Sequence, residues 1–107
     1  MSDSKIHTED DGTVHLGGDL NFASTPGLYR ELESRFTGSG SVLNIDLAGI
    51  KHADSSGLAL LLEWQAMAHR FNRSLHITNA PASLLSLAKL CEADKLMDVS
   101  GRDNGSA

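Results

Sequence analysis

The sequence contains one cysteine, Cys91, no uninterrupted apolar run near the roughly 20 residues that span a bilayer, and no stripe of basic residues. Each shortage excludes something. A lone cysteine cannot close an internal disulfide, in line with a reducing compartment. The net charge is −5 and the lysines and arginines are scattered singly, so there is no footprint for a nucleic-acid backbone and no nucleic-acid partner is expected. Without a long apolar run there is no spanning helix, and Met1 to Lys5 lack the apolar core of a signal peptide. The expectation is a cytoplasmic chain with no direct membrane insertion.

Signs of chemistry are equally sparse. The five histidines, His7, His15, His52, His69 and His76, show no His-x-x-x-His spacing, and a second cysteine for Cys-x-x-Cys is missing, so no metal site is expected. Gly17-Gly18 is followed by no Lys-Ser/Thr pair and is not a phosphate loop. A hydrolase could be assembled on paper from His52, Asp54 and Ser55. All three fall on one short turn, with no Gly-x-Ser-x-Gly elbow and no separate oxyanion loop, so no catalytic residue is assigned. Cys91 follows an apolar segment and reads as a small buried hydrophobe.

What is present describes one small globular domain. A chain of 107 residues supports one core, and 40% hydrophobic with 21% charged residues is ordinary for a packed protein. Residues 1–5 and 100–107 are small and polar, and read as flexible ends around a domain at 6–99. Ile6 to Thr8, the turn signal Asp10-Asp11-Gly12 and alternating Thr13 to Gly18 predict a hairpin. Ser24-Thr25-Pro26 offers a cap and an early helical proline, and Leu28, Leu32 and Phe36 recur at helical spacing up to Gly38-Ser39-Gly40. Val42 to Leu47 reads as a buried strand bounded by Gly49, Ser55 to about Phe71 as the longest helix, Leu75 to Thr78 as a strand and Pro81 to Leu90 as a third helix. A brief strand at Met97 to Val99 completes the order β-β-α-β-α-β-α-β, an α/β fold with a mixed sheet and helices packed on it.

The informative place is the start of the long helix. Asp54 is an N-cap residue whose carboxylate can accept from free N–H groups one turn on. Ser55 and Ser56 put hydroxyls at a helix N-terminus, which can also hold a phosphoryl group, although Asp54 would repel one. Gly57 in the first turn costs about 1 kcal/mol against alanine, which points to a close approach at this corner. Placed at helical steps, Leu60, Trp64, Met67 and Phe71 share one face with Leu61 and Ala68 beside them. That arc belongs to the core. Ala59, Leu62 and Ala66 lie nearer the polar side with Glu63 and Arg70, and fit a partner.

Asn44-Ile45-Asp46-Leu47, followed by Asp54-Ser55-Ser56-Gly57-Leu58-Ala59-Leu60-Leu61-Leu62, resembles the signature of STAS domains, the family of anti-sigma factor antagonists and sulfate-transporter tails. Gly17-Gly18-Asp19-Leu20 resembles the family's Gly-(Glu/Asp)-Leu-Asp element after the second strand, with Asn21 in place of the last acid. The likeness covers residues 6–99 and implies the STAS (anti-sigma factor antagonist-like) fold in a non-enzymatic module without cofactor. In the antagonists the serine directly after the motif aspartate is phosphorylated by an anti-sigma factor kinase, which puts that role on Ser55. Gly57 to Leu62 with Leu87-Ala88-Lys89-Leu90 looks most similar to the STAS subunit of the Mla phospholipid-transport ABC complex. That implies a partner in the ABC transporter ATPase subunit (MlaF-like) with its permease, at the inner membrane, in traffic that maintains outer-membrane lipid asymmetry. The residues expected to touch a partner are Asp54, Ser55, Ser56, Gly57, Ala59, Leu62, Glu63 and Ala66.

Overall fold

Alternation of buried and open side chains along the strands decides the layering. In a computed structural model, residues 5–9, 12–36 and 42–101 are described, the side chains of 5 and 34–36 excepted. Strand β1 (Lys5–Thr8) pairs antiparallel with β2 (Val14–Leu20), and helix α1 (Thr25–Phe36) leads to β3 (Val42–Ala53). Helix α2 (Ser55–Arg70), β4 (Ser74–Ala80), α3 (Ala82–Leu90), a 3₁₀ turn (Ala93–Lys95) and β5 (Asp98–Gly101) follow. The sheet order is β1-β2-β3-β4-β5, with β2 to β5 parallel. This is the mixed sheet with helices that the pattern implied. Val14, Leu16, Leu43, Ile45, Leu47, Leu75 and Ile77 point to the helices at period two and are buried with Trp64, Leu61 and Met67 of α2. The other face is polar and open: His15 meets Glu9 and Asp46 there, and His76 meets Asp98.

Several boundaries differ from the sequence reading. The turn at 10–11, the Phe36 side chain and Gly38 to Gly40 lie outside the described residues. Gly49 does not end β3, which runs on to Ala53. A Cβ at Gly49 would sit 3.1 Å from the Leu16 carbonyl oxygen and 3.2 Å from the Gly17 Cα, so this glycine serves the close passage of β3 beside β2. Gly17 to Leu20 does not follow the second strand but forms its last four residues, paired up to Leu20 with Ala53. β4 likewise continues past Thr78 to Ala80, and β5 starts after Met97, whose side chain is buried. Phe71 leaves the core face: it is the C-cap of α2 and is exposed. Cys91, read as buried, is exposed, because it caps the end of α3 where the chain turns away from the sheet.

Candidate functional site

The extension of β3 places the start of α2 against the end of β2. The Asp54 N–H donates to the Leu20 carbonyl at 3.0 Å, and the Asp54 carboxylate Oδ1 accepts from the Ser56 N–H at 2.8 Å. The Asp54 carbonyl accepts from the N–H groups of Gly57 at 3.0 Å and Leu58 at 3.3 Å. Asp54 is thus a full N-cap, in extended backbone, with its charge at the positive helix end. That carboxylate oxygen is committed to the helix start.

Of the residues expected at a partner contact, Asp54, Ser55, Ala59, Glu63 and Ala66 are exposed, and Ser56 and Leu62 are half-buried. Gly57 is different. It is buried, and a Cβ there would lie 2.9 Å from the Leu20 Cβ and 3.5 Å from that of Ala53. The close approach inferred from this glycine is made inside the domain, to β2, and leaves no surface at Gly57 for a partner. The division of α2 otherwise follows the helical pattern: Leu58, Leu60, Leu61, Trp64, Met67 and Ala68 are buried, and the opposite side is a crest on which the small Ser55, Ala59 and Ala66 are exposed along with Glu63, His69 and Arg70.

Two grooves flank that crest. The first, 520 Å³ in volume, lies between α1 and α2 and takes Ser56, Ala59, Leu60 and Glu63 from α2 and Pro26, Tyr29 and Arg30 from α1. Its outer rim is Phe22, 84% exposed. The turn that carries Phe22 is tied at every side. Asn21 Oδ1 accepts from the N–H groups of Ala23 at 2.9 Å and Ser24 at 3.0 Å, and the Ser24 hydroxyl accepts from the Asn21 N–H at 3.0 Å while donating to the Asp19 carbonyl at 2.7 Å. Asn21, where the family element has an acid, does its work here as a neutral acceptor that caps the turn into α1. The second groove, 420 Å³, is lined by Leu62, Gln65, Ala66 and His69 of α2 and by Leu96, which is 67% exposed after the 3₁₀ turn. Sequence reasoning did not single out Phe22 or Leu96. The one available signal for Phe22 was a large aromatic set among turn-forming residues, outside any periodic pattern.

Among the described residues no group of three or more His, Cys, Asp or Glu side chains is arranged to hold a metal ion, and no helix is long and apolar enough to cross a membrane.

The family model described as "Mlab, STAS domain" matches residues 5–98. No curated protein matches the chain. Among solved structures, a chain of the Acinetobacter MlaFEDB complex in an ATP-bound conformation superposes with a TM-score of 0.77 at 18% identity, over 90% of this chain and 99% of that one. An anti-sigma factor antagonist from Mycobacterium paratuberculosis gives 0.74 at 18% identity over 92% and 85%. The unphosphorylated anti-sigma factor antagonist SpoIIAA gives 0.64 at 13% identity over 81% and 82%. At these identities the likeness is one of fold.

Proposed function

The chain belongs to the MlaB-type STAS domain family, and from that premise we propose that it is a non-enzymatic subunit of an ABC phospholipid transporter. In this reading it docks on the cytoplasmic ATPase subunit through the start and crest of α2 and supports assembly or turnover of the ATPase–permease complex. It would sit at the inner membrane through that partner, in transport that maintains outer-membrane lipid asymmetry. The observation that carries the reading is the crest itself: Ser55, Ala59 and Ala66 are exposed and small, on a rigidly capped helix, beside the half-buried Leu62. The likeness to a chain of the MlaFEDB complex over 99% of its length supports it. The test is co-expression with the cognate ATPase and permease. Co-elution at physiological salt and a change in ATPase turnover are expected; elution of the chain alone with turnover unchanged refutes the reading.

A second reading has its own support. Ser55 is exposed at the first position of α2, and two anti-sigma factor antagonists share the fold. In that case an anti-sigma factor kinase would phosphorylate Ser55, and the phosphate would weaken docking by repulsion from Asp54. Intact mass of protein from cells, with Ser55→Ala as control, decides it: the added mass of one phosphate, lost in the variant, supports the switch, and its absence across growth conditions refutes it.

A further inference from the structure

We propose that His7 and His15, which face each other across β1 and β2 on the open side of the sheet, form a surface site for a late first-row divalent metal ion such as Zn²⁺ or Ni²⁺. The bound ion clamps the edge strand β1 to its neighbour.

His7 and His15 are register partners in an antiparallel pair, so both side chains leave the same face with Cβ atoms about 5 Å apart. Their ring centroids stand 6.3 Å apart, and no other histidine pair among the described residues comes into ring contact. An ion held about 2.1 Å from one nitrogen of each ring would bring the centroids to roughly 5 Å at a tetrahedral angle. The rings therefore have to close by about 1 Å. The His7 side chain is exposed, which allows this rotation. No helical His-x-x-x-His spacing marks the pair, because the hairpin alone brings the two together. Its end is closed by the Glu9 N–H donating to the Thr13 carbonyl at 2.9 Å and the Gly12 N–H donating to the Glu9 carbonyl at 2.9 Å.

His15 is oriented from behind. The Asp46 Oδ1 accepts from the Ala48 N–H at 2.8 Å and from the Asn79 side-chain amide at 2.9 Å, and its Oδ2 stands 3.4 Å from His15 Nδ1. A fixed carboxylate behind one ring nitrogen turns the other outward and makes it a stronger metal ligand. The outward nitrogen, Nε2, meets Glu9 Oε1. A carboxylate oxygen and a ring lone pair are both acceptors, so a cation has to lie between them, either a proton or a metal ion. With a metal ion on Nε2, the Glu9 side chain, 52% exposed, swings back to accept from water on the ion. The carboxylates of Glu9 and Asp46 then balance its two charges. No third His, Cys, Asp or Glu side chain is arranged with them as a ligand among the described residues, so water fills the remaining positions. Imidazole with water suits Zn²⁺ or Ni²⁺ and not Mg²⁺ or Ca²⁺, which take oxygen ligands. β1 is a four-residue strand at the sheet edge, paired to β2 alone, so one tie across it matters. The site lies on the side of the sheet opposite α2 and leaves the crest open.

Titration calorimetry with ZnCl₂ and, separately, NiCl₂ is run on Cys91→Ser, which removes an exposed thiol as a rival ligand. The same background carries His7→Ala, His15→Ala, Asp46→Asn or His76→Ala, with melting temperatures alongside and His15→Gln in place of His15→Ala if that variant does not fold. Saturable binding of one ion per chain is expected, weakened at least about tenfold by either change at 7 or 15 and about tenfold by Asp46→Asn. His76→Ala should bind like its parent, MgCl₂ should give no binding, and amide exchange at Ile6 to Thr8 should slow when Zn²⁺ is bound. Binding kept in His7→Ala and lost in the variant at 15 overturns the bridge between strands. Equal affinity in all variants, or no saturation, means an adventitious ion only and overturns the site. Binding through both histidines with exchange in β1 unchanged overturns the clamp.

Discussion

Replacing Gly57 by alanine adds one methyl group at the corner where β2, β3 and α2 meet. The new Cβ would stand 2.9 Å from the Leu20 Cβ, 3.3 Å from the Leu20 carbonyl oxygen and 3.5 Å from the Ala53 Cβ. Carbon atoms prefer about 3.5–4.0 Å. Leu20 has little freedom to retreat, since its side chain is fully buried and its carbonyl accepts from the Asp54 N–H. Forcing a methyl into such packing costs about 1–3 kcal/mol, and the better helix propensity of alanine returns up to about 1 kcal/mol. The net expectation is a loss of about 1 kcal/mol, or a drop in Tm of about 4–8 °C for a domain of this size. Urea titration and thermal melts measure it, with Ala59→Gly on the exposed crest as the reference for propensity alone. Gly57→Ala at or above wild-type stability would refute the packing argument. Weakened partner binding with stability intact would return Gly57 to the interface.

Asp54→Ala is expected to cost about 1 kcal/mol through the lost cap, whereas Asp54→Asn keeps an acceptor for the Ser56 N–H and loses only a few tenths; urea midpoints separate them. Leu61→Asp is expected to unfold the domain, because Leu61 has no exposed surface and an unpaired buried carboxylate costs several kcal/mol. Leu62→Asp, half-buried beside the crest, should leave a cooperative melt and weaken partner binding; equal losses of stability would contradict the division of α2. Gly49→Ala should destabilise by about 1–3 kcal/mol, since the atoms its methyl meets are backbone of β2 and cannot rotate away. Cys91 should react with a maleimide to one equivalent in the folded protein, and labelling only after denaturant would contradict its exposure.

What the sequence reveals here is set by the range over which each signal acts. The periodicity of Leu60, Trp64, Met67 and Leu61 is a property of one helix, and it divided α2 into core and crest before any neighbour was known. The cap at Asp54 is equally local, as donor and acceptor are two residues apart. Glycine carries no such local meaning. Gly49 looked like a strand end and Gly57 like a close approach to a partner, and both are shaped by β2, some thirty residues or more away, at Leu16, Gly17 and Leu20. The grooves are long-range in the same way: α2 supplies the shared floor and crest, while Phe22 and Leu96 reach it from opposite ends of the chain. Phe22 has no periodic partner, and only the bonded turn from Asp19 to Ser24 makes its exposure a stable feature of the surface. The motif at 54–62 therefore lies on an element whose cap and periodicity are local, and the rims that bound its surface, Phe22 and Leu96, come from outside that motif.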